Sequence, residues 1–146
     1  MLGLTFNWGA LLGWCAVKGT VDPVVVLPLY AGGVAWTLVY DTIYAHQDKQ
    51  DDAAIGVRST ALLFGDHTRE ICGGFAALAV LGIGTAGTAV GLTPPFYAGL
   101  AASAGHLVWQ LKHVDLDNPK SCMATFVSNQ WFGALVFASI VAGKVL

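Results

Sequence analysis

The chain has 146 residues, 55% of them hydrophobic and 11% charged, whereas about a quarter of a soluble domain is charged. With a mean hydropathy of +0.64, it reads as an all-α, multi-span membrane bundle rather than a soluble globule. The net charge of −2, with no basic patch, argues against a nucleic-acid partner.

Taken in order, the apolar stretches cover residues 2–17, 24–45, 71–92, 96–111 and 124–143. The third alone holds 22 uncharged residues, and about 20 suffice to cross a bilayer. Gly, Pro or charged breaks separate them at 19–23, 93–95 and 113–120, which predicts about five helices. Two small-xxx-small patterns, Gly9 with Gly13 and Gly87 with Gly91, mark places where helix backbones are expected to approach closely. The first apolar stretch begins almost at Met1, with neither a cleavable leader nor an Arg-rich transit segment before it. That start suggests a piece of a longer protein.

Five spans place Lys49, Arg58, Arg69, Lys112 and Lys120 on one side and Lys18 and Lys144 on the other. The charge bias makes the first side the inside. Trp8, Tyr30, Tyr44, Tyr97 and Trp131 near the ends suit an interfacial belt. Cys15, Cys72 and Cys122 match no CxxC spacing, and the four His are scattered, so the sequence indicates no disulfide framework and no zinc site.

One segment stands apart. Tyr40-Asp41-Thr42-Ile43-Tyr44-Ala45-His46-Gln47-Asp48-Lys49-Gln50-Asp51-Asp52 sets four carboxylates at the inner end of an apolar stretch, where ionisable groups are costly and usually have a task. On a continuous helix Asp41, Asp48 and Asp52 fall on nearly one line, a stripe of like charge that calls for a cation. Carboxylate oxygens are the hard ligands Mg²⁺ prefers, and Mg²⁺ is commonly shared with substrate phosphates. Asp51 and Asp66 read as solvated loop charges. Beyond the stripe, Ile55-Gly56-Val57-Arg58-Ser59-Thr60-Ala61 sets Arg58 among small and hydroxyl residues. Its planar fork suits phosphate oxygens, while its plainer reading is a topological anchor or a salt bridge to Asp52. Lys49 carries the same two readings. Neither an EF-hand nor a Walker loop is present.

These two runs resemble the second aspartate-rich motif of the UbiA superfamily of intramembrane prenyltransferases. Within it they are most similar to the eukaryotic 4-hydroxybenzoate polyprenyltransferases of ubiquinone biosynthesis, helped by Phe6-Asn7-Trp8-Gly9-Ala10, Val114-Asp115-Leu116 and Phe126-Val127-Ser128-Asn129. Residues 1–146 then form the C-terminal part of a single nine-helix domain, with the N-terminal helices absent. The resemblance implies a cavity in which two Mg²⁺ ions hold the diphosphate of a polyprenyl donor. Its D-x-x-x-D pair falls on Asp48 and Asp52, with Asp41 upstream as a further metal ligand. Arg58, Lys49 and Tyr44 fall on its diphosphate-side positions. It further implies transfer of the polyprenyl group from polyprenyl diphosphate to 4-hydroxybenzoate, at a multi-pass protein of the mitochondrial inner membrane with its site facing the matrix.

The family's first motif, N-D-x-x-D, has no counterpart here, since Trp8 follows Asn7. The chain alone is therefore expected to be inactive. The alternatives are another aromatic prenyltransferase of the same superfamily, a small multi-span transporter using its acids for ions, or a structural membrane subunit.

Overall fold

The computed structural model describes residues 2–145. Two short helices, α1 (Leu2–Phe6) and α2 (Trp8–Lys18), precede the long α3 (Pro23–Ala45). A 3₁₀ turn at His46–Asp48 leads to α4 (Lys49–Ile55) and α5 (Thr60–Phe64). A second such turn, Gly65–His67, opens α6 (Thr68–Ala89), which is followed by α7 (Pro94–His113) and α8 (Pro119–Val145). The described residues contain no strand, and the expected all-α bundle is observed.

Local chemistry sets the boundaries. Asp22 accepts from Val24 N at 3.1 Å and Pro23 takes the first helical position, so α3 starts with an orphan donor satisfied and a preset φ. At the far end of α4, Gly56 takes φ 77° and donates its N–H to Asp52 O, a left-handed stop that a residue with a Cβ would enter at a cost. Ser59 caps α5 by accepting from Leu62 N at 3.4 Å.

Three helical stretches, Pro23–Ile55, Thr60–Ala89 and Pro119–Val145, are long and apolar enough to cross a membrane. Two of the expected spans differ. Residues 2–17 divide at Asn7, whose amide donates to Gly3 O at 2.7 Å and Thr37 Oγ1 at 2.9 Å. The 11-residue α2 reaches only about 16 Å, roughly half the hydrocarbon thickness. α7 has the length, at 20 residues, but Ser103, His106 and Gln110 make it too polar to qualify. It is instead sheltered by α8: Gln110 Nε2 donates to Ser128 Oγ at 2.7 Å, and His106 Nε2 lies 3.1 Å from Ser128 O.

The helix ends nevertheless alternate. Arg69, at the start of α6, donates to Leu111 O at 3.0 Å, Lys112 O at 3.4 Å and Val114 O at 2.7 Å at the end of α7. At the opposite end, Thr93 N and Oγ1 both donate to Gly143 O at 3.0 Å. The acidic segment thus shares its end with Arg69, Lys112 and Lys120, while Lys18 and Lys144 lie at the other.

The tightest crossing joins α3 to α6. A Cβ on Gly82 would collide with Pro28 O and stand 2.9 Å from Gly32 Cα, so the two backbones touch there. Val39, Ile43, Cys72, Ala76, Ile83, Leu107, Cys122 and Phe132 fill the core between the helices. The small-residue contacts are not all where the spacing put them. Gly9 and Gly13 face open space, and Gly91 lies past the end of α6 at φ 68°, whereas Gly87 packs under Phe96. A small-xxx-small pattern permits close approach, and only a facing helix decides whether it is used.

Candidate functional site

The acidic segment does not continue α3. At His46–Asp48 the backbone tightens into 3₁₀ geometry, and Asp48 takes φ −106° and ψ 12° before α4 begins. His46 pins that break: it is 6% exposed, and its Nε2 lies 3.1 Å from Thr68 Oγ1, which itself donates to Gly65 O at 2.7 Å. A buried imidazole tied to α6 holds the chain where a smooth helix would carry it away.

The break changes the carboxylate geometry. A 3₁₀ turn has 3.0 residues per turn against 3.6, so it rotates everything after it relative to α3. The expected single stripe of Asp41, Asp48 and Asp52 is therefore not formed as one face of one helix. Among the described residues no three His, Cys, Asp or Glu side chains gather closely enough to hold a metal ion. Asp48 and Asp52 remain a pair four residues apart across the first turn of α4, spacing that puts them on one face. Asp41 stays behind on α3, half-buried.

The pair's chemistry is undiminished by other duties. Asp48 sits at the N-cap of α4, yet its side chain makes no capping bond. Among the described residues the single ion pair is His67 with Glu70 at 3.0 Å, so neither Lys49 nor Arg58 is spent on Asp52. Two free carboxylates suit Mg²⁺ completed by phosphate oxygens and water, rather than an ion caged by protein alone.

The Arg58 loop is brought up by one bond. Thr42 Oγ1, fully buried, donates to Thr60 Oγ1 at 2.9 Å, tying the start of α5 to the last turns of α3. Arg58, two residues before Thr60, is exposed at the same end. Lys49 opens α4 and is half-buried.

Tyr44, expected on the diphosphate side, is exposed at the foot of an aromatic ladder whose other members, Trp36 and Tyr40, the sequence did not single out. Trp36, Tyr40 and Tyr44 recur every fourth residue on α3, hence on one face. Trp36 meets Tyr40 edge-on at 5.3 Å and Phe132 at 4.8 Å, while Phe126 of α8 lies 4.8 Å from Tyr44 and 5.7 Å from Tyr40. The Trp36 indole donates to Asn129 Oδ1 at 3.0 Å, which fixes the ladder's inner end to α8. The period of four on α3 was the signal available for it; nothing in the sequence singled out His46 or Thr42.

Comparison with known proteins supplies the context for this arrangement. The sequence profile of the UbiA prenyltransferase family matches residues 1–140. The chain is 54% identical over 143 residues to the 4-hydroxybenzoate polyprenyltransferase, mitochondrial, of Arabidopsis thaliana, covering 98% of this chain and 35% of the relative. It is 55% identical over 144 residues to the mouse protein of that name, covering 99% and 38%, and 51% identical over 144 residues to the human one, covering 99% and 39%. The chain thus spans little more than a third of the length of the curated relatives it matches. No solved structure gives a significant match.

Proposed function

The chain belongs to the UbiA prenyltransferase family, and from that membership we propose that it forms the C-terminal part of an enzyme that transfers a polyprenyl group from polyprenyl diphosphate to 4-hydroxybenzoate, in ubiquinone biosynthesis. The observation that carries the reading is the uncommitted Asp48–Asp52 pair at the bundle end that also presents Arg58 and Lys49. Relatives about half identical over nearly the whole chain carry the name of that activity.

In this reading Asp48 and Asp52 would hold Mg²⁺, its shell completed by donor phosphate oxygens, water and carboxylates from the remainder of the protein, while Asp41, set apart on α3, would reach it only through water. Bound Mg²⁺ would supply neutralisation of the charge that develops on the leaving diphosphate. Arg58 and Lys49 donate to diphosphate oxygens and orient the donor, and Tyr44 lines the approach. The allylic C–O bond breaks with its electron pair leaving on the diphosphate. The ring carbon ortho to the phenol hydroxyl forms the new C–C bond, and its proton departs to restore aromaticity, giving 3-polyprenyl-4-hydroxybenzoate. The faces of Trp36, Tyr40 and Tyr44 would offer negative π density to an allylic cation. The enzyme would sit in the mitochondrial inner membrane, with the acidic end toward the matrix as the charge bias directs.

The test is prenyl transfer by the longest gene product containing this chain, in membranes supplied with both substrates, with and without Mg²⁺. Asp48→Ala and Asp52→Ala should each lower turnover more than a hundredfold while the protein still inserts, since a missing carboxylate ligand has no substitute in position. Near-normal turnover in both variants, or full activity in chelator, would refute the assignment.

A further inference from the structure

At the end of the bundle away from the acidic segment, a cavity of about 720 Å³ opens among α2, α3, α6, α7 and α8. Its walls are apolar, with Leu29, Ile83, Phe96 and Ile140 among them, and its rim carries Lys18 and Lys144. The volume lies within the range of about 300–1,000 Å³ typical of small-molecule pockets, enough for a headgroup and the upper part of its chains.

Charge placement is the second observation. The chain has seven Lys and Arg, and five belong to the acidic end, where topology favours them. Both of the remaining two open on this one cavity. Asp22 also lines it and accepts from Val24 N at 3.1 Å at the head of α3, so the rim carries two ammonium groups against one carboxylate. Lys18 Nζ stands 5.8 Å over the Trp14 ring, and the buried Trp14 Nε1–H, in the same wall, has no partner. An apolar chamber in a membrane protein, rimmed by two ammonium groups against one carboxylate, is complementary to a molecule with an anionic phosphate at one end and acyl chains at the other.

We propose that this cavity seats an anionic phospholipid of the outer leaflet, its phosphate between Lys18 and Lys144 and its chains along the α3, α6 and α8 walls. Lys18 and Lys144 also complement the C-terminal ends of α2 and α8, and an anionic headgroup adds a partner that a neutral lipid does not, while free phosphate would leave the apolar walls wet. The proposal does not rest on the enzymatic reading.

The longest gene product containing this chain, purified in mild detergent, is offered phosphatidylglycerol or phosphatidylcholine, and retained lipid is measured by native mass spectrometry. The wild type should retain phosphatidylglycerol in at least tenfold preference. Each of K18A and K144A should cut that preference about fivefold, the effect of one basic side chain on an anionic surface. Ala89→Trp, placed on the exposed part of the cavity wall, should lower retention of both lipids by filling the chain site. Millimolar inorganic phosphate should displace neither. Equal retention of the two lipids, no retention of either, an unchanged preference in the K18A/K144A protein, unaltered binding to the Ala89→Trp variant, or displacement by phosphate alone would each overturn the proposal.

Discussion

Replacing Gly82 with Ala adds one methyl at the point where α3 and α6 touch. Its Cβ would overlap Pro28 O and stand 2.9 Å from Gly32 Cα and 3.0 Å from Gly32 N, where ordinary contact begins at 3.4 Å. All three neighbours are backbone, so no side chain can swing aside and the helices must part by about 0.5 Å or more. A gap of 0.5–1 Å forfeits roughly a quarter to a half of each dispersion contact along the seam, and overpacking of this kind costs about 1–3 kcal/mol. Alanine returns up to about 1 kcal/mol of helix propensity, leaving a net loss of up to about 2 kcal/mol. Gly74→Ala is the control: on the same helix, with nothing within 4 Å of its Cβ, it should be neutral or stabilising. Reversible unfolding in mixed detergent and dodecyl sulfate micelles measures both. A Gly82→Ala protein as stable as wild type, beside a well-behaved Gly74→Ala, would show that the two backbones are not in contact. Because α3 and α6 flank the acidic segment, the same variant should also slow prenyl transfer in the longer gene product.

Arg69→Ala removes three bonds to carbonyls of the α7 end, and should cost about 1.5–3 kcal/mol and speed amide exchange across residues 112–118; Arg69→Lys should not restore protection, since an ammonium lacks the fork that spans them. Arg58→Ala should raise KM for polyprenyl diphosphate more than tenfold, with a smaller effect on kcat. Unaltered KM would return Arg58 to the role of a topological anchor. Cysteines placed one at a time at positions 49 and 120 should label from one membrane face, and those at 18 and 144 from the other. Labelling of 49 and 120 from opposite faces would contradict the alternation of helix ends.

The long apolar helices were legible because hydropathy is a property of many residues at once: residues 24–45 and 71–92 were expected, and Pro23–Ala45 and Thr68–Ala89 are found. The division at Asn7 was not, because it turns on one amide reaching Thr37, thirty positions away. Ser103 and Gln110 were averaged into an apolar window, although their burial depends on bonds that cross to α8 or return to α7 itself. In the candidate site, Asp48, Asp52 and Arg58 could be named from residue type and spacing, while their relation to Asp41 could not. That relation is set by His46, whose grip on Thr68 belongs to tertiary structure. Likewise Gly9 and Gly13 carry the pattern of a close crossing, and Gly32 and Gly82 make one.

The 3₁₀ turn at His46–Asp48 also has a mechanical meaning. A membrane helix adjusts to bilayer thickness by tilting, and any group carried rigidly on it swings with the tilt. Asp48 instead closes the joint and Asp52 lies a turn further on in the short α4, past an anchor to α6. Their mutual spacing is set by the end of the turn and the first turn of α4, so α3 is free to lean as the surrounding lipid thickens or thins while the two carboxylates keep their bite. A residue inserted within α3 before Asp41 would shift the aromatic ladder and spare that spacing; one inserted between Asp48 and Asp52 would destroy it.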